Sequence, residues 1–151
     1  TPKTSSAASD VYKRQGLNRM NDLEDIVFTY KEHTAYLKIN RPPNNFFDSD
    51  LIRQIADVLE EMDNNKDCRS IILYSEGKHF CAGADFSRSN FKNESDAYSA
   101  LYDQAVRLFR TRKPIIAVIQ GAAVGGGLGV LLQPILELHA KNQDLVLIFL
   151  S

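Results

Sequence analysis

A chain of 151 residues and 17.0 kDa is long enough for one domain with a hydrophobic core and short for two. Eighteen basic and nineteen acidic residues give a formal net charge of -1, so the overall charge indicates neither a nucleic acid nor an anionic membrane as partner. The two cysteines, Cys68 and Cys81, lie at neither metal-ligand nor redox spacing. They predict reduced thiols in a cytoplasmic protein and no metal site.

Residues 1–19 are predicted to be a non-native or disordered leader. The run SSAASDVYKRQ, from Ser5 to Gln15, resembles the translation of an adapter used to prepare sequencing libraries. It has no strand or helix periodicity, and it lacks the apolar core of a secretion signal. Met20 is therefore predicted to be the native start.

The next segment predicts a β-hairpin followed by a helix. Val27 to Glu32 and Thr34 to Asn40 alternate with period two on either side of His33. After two prolines, Asp48 is placed to cap a helix with Asp50 in its first turn, where an acidic residue suits the helix dipole. The apolar residues of this helix fall on one face: Leu51, Ile52, Ile55, Val58, Leu59 and Met62.

Two continuous apolar runs follow, SIILYS (Ser70 to Ser75) and PIIAVIQ (Pro114 to Gln120), and each is typical of a strand buried on both faces. Between them a helix is predicted over residues 95–112. Its predicted buried side consists of Tyr98, Leu101, Ala105, Leu108 and Phe109. The alternation of strands and helices predicts parallel pairing with right-handed crossovers.

A glycine-containing turn follows each of these strands, EGKHFCAGADF (Glu76 to Phe86) and IQGAAVGGGLG (Ile119 to Gly129). Turns that follow parallel strands lie at the same edge of the sheet, where ligands of such sheets bind. Glycine allows close approach of the backbone, and a helix that begins at a turn presents unpaired N–H groups. The two turns therefore predict a site for a carbonyl oxygen or an oxyanion.

Together with Arg41, Pro42, Pro43, Asn44 and Asn45, these turns resemble the crotonase superfamily of enoyl-CoA hydratases and isomerases, over residues 20–130. The resemblance implies an α/β fold, a crotonase-like ββα spiral, here truncated before its C-terminal helices. Residues 20–132 would form the acyl-CoA-binding core. The resemblance further implies that the substrate is an acyl-CoA thioester of fatty acid metabolism. CoA would enter only as part of that substrate, without flavin or metal, and the full-length protein would be a homotrimer or hexamer.

The resemblance also assigns roles to individual residues. The family pattern F-[SCA]-A-G-A-D matches Phe80 to Asp85, which makes the N–H of Ala84 one oxyanion donor, and the middle glycine of GGG makes Gly126 the second. Such donors stabilise the enolate of a thioester by about 3 kcal/mol each. The remaining residues implied to line the substrate site are Asn45, Ala82, Gly83, Asp85, Phe86, Gly125 and Gly127.

One departure from the family pattern leaves the reaction open. Typical hydratases have a glutamate two residues after GGG, and this chain has Gly129. Water activation by a pair of glutamates is therefore not supported. Hydration, isomerisation, thioester hydrolysis and decarboxylation all stay open, and so does an acyl-CoA binder without turnover.

The same residues allow other functions to be considered, namely a peptidase, a membrane helix and a nucleophilic thiol. A Clp-type serine peptidase shares the spiral but needs a serine and a downstream histidine that are not evident here. The apolar stretch from Ile115 to Leu132 has the length of a membrane helix, but three consecutive glycines favour a turn. Cys81 is predicted to be a packing residue rather than a nucleophile, and His79 a loop residue rather than a base.

Residues 133–151 are predicted to be a frame-shifted tail. They show no helix periodicity, whereas a shifted frame with chosen codons permits ADFRVACKESRFSLNF, which resembles the family segment that follows GGGLG. This interpretation predicts that a native strand is missing after Leu132 and that the sheet edge is left open. The chain as written is then expected to bind acyl-CoA weakly and to be inactive.

Overall fold

The structure is a computed structural model that describes residue 20 and residues 23–87, 91–124, 135–139 and 145–149. The predicted leader, residues 1–19, lies outside the described residues. The same is true of residues 125–134, which include Gly125, Gly126, Gly127 and Gly129. Of residues 135–139 and 145–149 only the backbone pairing is described below.

A single six-stranded sheet organises the chain, with the strand order β1-β2-β3-β4-β6-β5. The strands are β1 (Ile26–Lys31), β2 (Thr34–Ile39), β3 (Ser70–Ser75), β4 (Ile115–Ile119), β5 (Ile135–His139) and β6 (Leu145–Phe149). β1 and β2 form the predicted antiparallel hairpin, and Glu32 and His33 turn between them with φ of 48° and 69°. β2, β3 and β4 are parallel, which confirms the predicted order of the central strands.

Helix α1 (Ser49–Asn64) forms as predicted, because Asp48 caps it and one face is apolar. The Asp48 side chain accepts a hydrogen bond from the N–H of Leu51 at 2.8 Å, which satisfies a donor that the first turn leaves unpaired. All six apolar residues that were predicted to face the core are buried.

Helix α2 (Glu94–Leu108) ends four residues earlier than predicted, and its buried face is rotated from the predicted one. Its buried residues are Ala97, Leu101, Ala105 and Leu108. Tyr98 and Phe109 were predicted to be buried but are 46% and 50% exposed, so this part of the prediction is wrong. Tyr98 directly follows Ala97 and Phe109 directly follows Leu108. Because neighbouring residues on a helix lie about 100° apart, burial of Ala97 and Leu108 turns both rings toward solvent.

The structure contradicts the prediction that the sheet edge next to β4 is open. β6 pairs antiparallel with β4 from Ile115↔Phe149 to Ile119↔Leu145, and β5 pairs in turn with β6. The segment LVLIF contains Val, Ile and Phe, which favour strands, and β4 offers it an unpaired edge. The interpretation of residues 133–151 as frame-shifted stays a prediction.

A buried cluster around Arg41 joins the hairpin, the following loop and α1. The Arg41 guanidinium contacts Asp25 at 2.6 Å and Asp48 at 2.7 Å, and it donates to the Phe46 carbonyl at 3.3 Å. Gln54 of α1 also donates to Asp25. Burial alone would lower the pKa of Arg41, but its hydrogen bonds to the two carboxylates outweigh burial and raise the pKa.

Replacing Arg41 by lysine is expected to lower the free energy of unfolding by about 1 to 2 kcal/mol. Lysine keeps the charge but lacks the planar fork that reaches both carboxylates at once. Urea denaturation of the 151-residue chain measures the loss. Arg53→Lys is the matched control, since Arg53 is 48% exposed on its side chain and lies 3.4 Å from Asp57. The control should lose less than about 0.5 kcal/mol, and equal losses in the two variants would contradict the structure.

Candidate functional site

Three loops meet at one edge of the sheet, where the parallel strands end. The first loop (residues 41–47) follows β2, the second loop (residues 76–86) follows β3, and the third loop (residues 120–124) follows β4. The sequence predicted that the two glycine-containing turns share this edge, and the structure confirms it.

Backbone hydrogen bonds join the second loop to the third. The Phe80 N–H donates to the Gln120 carbonyl at 2.9 Å, and the Cys81 N–H donates to the Ala122 carbonyl at 3.1 Å. In the opposite direction, the Val124 N–H donates to the Cys81 carbonyl at 2.8 Å. The segment that leads into Gly125 is therefore held against the segment that leads into Ala84.

The first loop is joined to the other side of the second loop. The Phe47 N–H donates to the Gly83 carbonyl at 2.9 Å, and the Phe47 carbonyl accepts from the Asp85 N–H at 2.8 Å. The Ala82 N–H donates to the Asn44 carbonyl at 2.9 Å. The second loop thus lies between two hydrogen-bonded neighbours and forms a short stretch of parallel pairing with each.

This pairing determines where the N–H of Ala84 points. In a parallel bridge between Phe47 and Ala84, the residues on either side of Ala84 make the hydrogen bonds. The N–H of Ala84 itself then faces away from Phe47, and none of the described residues accepts a hydrogen bond from it. Ala84 is also solvent-exposed. No described residue thus occupies this donor, whereas the predicted second donor, Gly126, lies outside the described residues.

Asn45 has an internal role that the sequence did not reveal. It is fully buried with φ of 48°, and its side-chain oxygen accepts from the Arg41 N–H at 2.9 Å. Its side-chain nitrogen donates to the carbonyls of Glu76 and His79, both at 2.6 Å. The Asn45 side chain therefore ties the first loop to the second. The implied role of this segment, whose backbone would line the entrance for CoA, stays a prediction.

The other predicted site residues of the second loop surround Ala84. Ala82, Gly83, Asp85 and Phe86 are all partly buried. The Asp85 side chain accepts from the N–H and the hydroxyl of Ser87, at 2.8 and 2.6 Å, and so orders the turn that follows. The Phe86 ring packs against the Tyr98 ring of α2 at a tilt of 49°, with 4.3 Å between the ring centroids. This contact brings α2 next to the candidate site.

Cys81 is buried in the second loop, and burial raises the pKa of its thiol. The sulfur lies 3.4 Å from the Gly83 carbonyl, to which the thiol can donate weakly. A thiol that stays protonated is a poor nucleophile. These observations favour the packing role over a nucleophilic one.

Among the described residues, no group of three or more His, Cys, Asp or Glu side chains is arranged to hold a metal ion. Neither helix in the described part of the chain has the length and apolar character needed to span a membrane. The stretch that was weighed as a membrane helix begins as strand β4.

Comparison with solved structures places this fold in the crotonase class. A crystal structure of an enoyl-CoA hydratase from Shewanella pealeana superposes with a TM-score of 0.64 and 29% identity, covering 77% of this chain and 46% of that chain. The predicted fold class is thereby confirmed. The family model for enoyl-CoA hydratase/isomerase matches residues 29–142. The chain therefore belongs to the enoyl-CoA hydratase/isomerase family, and the Clp-type peptidase interpretation is set aside.

Relatives in this family include both hydratases and isomerases. A protein named probable enoyl-CoA hydratase from Bacillus subtilis is 32% identical over 118 residues, which is 76% of this chain and 46% of that protein. A peroxisomal Delta(3,5)-Delta(2,4)-dienoyl-CoA isomerase from Arabidopsis thaliana is 31% identical over 112 residues, which is 64% of this chain and 40% of that protein. The chain spans slightly less than half the length of the relatives that it matches.

Proposed function

We propose that the full-length protein, meaning the product of the complete gene, converts an acyl-CoA thioester through an enolate. The oxygen of this enolate would be held by the N–H groups of Ala84 and Gly126. The observation that carries the proposal is the pairing of the second loop on both sides. It fixes the backbone around Ala84 and leaves the Ala84 N–H free of partners among the described residues.

Such an arrangement suits chemistry next to a thioester carbonyl. Removal of a proton from the neighbouring carbon, or addition to a conjugated double bond, moves negative charge onto the carbonyl oxygen. A donor that the fold already holds in place stabilises this charge without reorganising, and one donor is typically worth about 3 kcal/mol. CoA would be carried by the substrate, and neither a flavin nor a metal is required. The proposal includes a cytoplasmic homotrimer or hexamer as the full-length form.

Gly129 favours isomerisation over hydration as the reaction. Addition of water by a pair of glutamates needs a carboxylate at this position, and glycine supplies none. Moving a double bond needs a group that carries a proton between two carbons of the substrate, and a single acid/base can do this. The names of the relatives cover both reactions.

The proposal is tested with the full-length protein and the 151-residue chain side by side. Each is titrated with a non-reactive thioether analogue of an acyl-CoA and assayed with crotonyl-CoA and a 3-enoyl-CoA. We expect the full-length protein to bind the analogue and to convert at least one substrate. The 151-residue chain should bind weakly and be inactive, because loops hold catalytic geometry only on a complete scaffold.

Two outcomes would contradict these expectations. A full-length protein that does not bind the analogue would refute the proposed acyl-CoA site. Turnover by the 151-residue chain at a rate comparable to the full-length protein would show that the chemistry needs nothing beyond these residues.

A further inference from the structure

His79, in the second loop, contacts all three loops. Its imidazole Nδ1 accepts a hydrogen bond from the N–H of Ala122 in the third loop at 2.9 Å. Its backbone N–H donates to the Pro43 carbonyl at 3.3 Å, and its carbonyl accepts from Asn45 at 2.6 Å. The same carbonyl accepts from the Ser75 hydroxyl at 3.2 Å. No other imidazole in the described part of the chain lies between these loops.

The hydrogen bond from the Ala122 N–H shows which role Nδ1 of the ring has. A backbone N–H can only donate, so Nδ1 must carry a lone pair and no proton. Nδ1 of His79 therefore serves as the acceptor for the third loop. Histidine is partly buried here, which limits competition from water for the same acceptor.

The third loop approaches His79 so closely that only glycine fits at the point of contact. Gly121 has φ of +60°, and an added Cβ would lie 2.8 Å from His79 Nδ1 and against the carbonyl oxygen of Lys78. A side chain at position 121 would push the two loops apart. The position of the third loop is thus defined by two contacts with neighbouring residues of the second loop.

We propose that His79 is a positioning residue for the Ala84 donor of the candidate oxyanion site. Its imidazole acceptor sets the place of the third loop relative to the second loop, which carries Ala84. His79 precedes Ala84 by five positions, so a displacement at this link acts on the segment that holds the Ala84 N–H. The consequence for turnover depends on the proposed function, whereas the link between the loops does not.

Other hydrogen bonds between these loops make it possible to test the positioning role of His79 without unfolding the protein. Backbone hydrogen bonds from Phe80 and Cys81 to the third loop stay in place when the side chain of His79 is changed. Loss of the imidazole acceptor should therefore shift the loops slightly and leave the fold intact. Oxyanion donors are sensitive to such shifts, because a hydrogen bond weakens steeply with distance and angle.

The test compares His79→Asn with His79→Leu in the full-length protein. The Oδ1 of asparagine occupies the place of Nδ1 and can accept from Ala122, whereas leucine offers no acceptor. We expect His79→Asn to retain kcat within about threefold. His79→Leu should lose about tenfold or more in kcat while KM changes by less than about threefold, because the lost interaction acts on the transition state.

A second measurement does not depend on turnover. Amide ¹H–¹⁵N shifts and exchange rates of Ala84, Ala122 and Val124 are recorded for both variants and the parent. His79→Leu should move the amide signals of Ala84 and Ala122, and His79→Asn should restore them toward the parent values. If the leucine variant does not fold, His79→Gln replaces it, since its oxygen lies one bond farther out and misses the Ala122 N–H.

The outcomes separate the two proposals. Restored amide signals in His79→Asn without any turnover in the parent would refute the proposed function and leave the positioning role intact. Equal kcat in His79→Leu and the parent, or an Ala84 amide that does not respond to the loss of the acceptor, would overturn the positioning role.

Discussion

Replacing Ala84 by proline is expected to lower kcat of the full-length protein by about 10²- to 10³-fold, the effect of removing one oxyanion donor. Proline has no N–H, so it deletes the proposed donor without adding a polar group. The bridge to Phe47 is made by Gly83 and Asp85, and no described residue accepts a hydrogen bond from the Ala84 N–H. Turnover of a 3-enoyl-CoA and of crotonyl-CoA gives kcat and KM for the variant and the parent.

Ala84→Gly is the control for this substitution, because it removes the methyl group and keeps the N–H. It should stay within about fivefold of the parent in kcat, well short of the loss of a donor. Thermal unfolding of both variants checks that the second loop still folds. Should proline disturb the loop, an amide-to-ester exchange at position 84 removes the same N–H while keeping the side chain. An unchanged kcat in a folded variant without this N–H would exclude Ala84 as an oxyanion donor.

Replacing Asn45 by alanine is expected to lower the free energy of unfolding by about 4 kcal/mol. The substitution leaves the Arg41 N–H and the Glu76 carbonyl without the partner that the fully buried Asn45 side chain provides, and it leaves the His79 carbonyl with the Ser75 hydroxyl alone. Each buried polar group that loses its hydrogen bond costs about 1 to 3 kcal/mol. Alanine also tolerates φ of 48° less well than asparagine does. Urea denaturation of the 151-residue chain measures the loss.

Asn45→Gly separates the two causes of this instability. Glycine loses the same three hydrogen bonds but adopts positive φ without steric cost, so it should be about 1 kcal/mol more stable than the alanine variant. A loss below about 1 kcal/mol in the alanine variant would show that these hydrogen bonds contribute little to the fold.

The elements that the sequence predicted correctly have patterns confined to a few neighbouring residues. Alternation around His33, the cap at Asp48 and the apolar face of α1 each depend on contacts within one or two turns of chain. The face of α2 was misjudged, because two large rings, Tyr98 and Phe109, were taken to be buried and Ala97 is buried in their place. Pairing of β6 with β4 was missed since a free sheet edge accepts a strand whatever segment supplies it.

Only part of the candidate site could be predicted from the sequence. Glycine turns after two buried strands predicted that both turns share an edge, and the resemblance to the family assigned Ala84. The roles of Asn45 and His79 depend on partners 34 and 43 positions away, and no periodicity in the chain reports such a distance. The sequence showed only that an amide side chain follows two prolines and that an imidazole lies in a glycine-containing turn. Gly126 as the second donor stays a prediction.

The joining of three loops from distant parts of the chain also dictates the order in which this edge can form during synthesis. Hydrogen bonds that span 34 to 43 positions cannot form before both partners have been made, and the same holds for the pairing of β3 with β4. The residues of the hairpin and α1 are made earlier. The amides of Phe80 and Cys81 find their acceptors only when Gln120 and Ala122 have been made. Until then the nascent chain carries an incomplete edge, which is the part of the molecule that a chaperone or a protease would meet first.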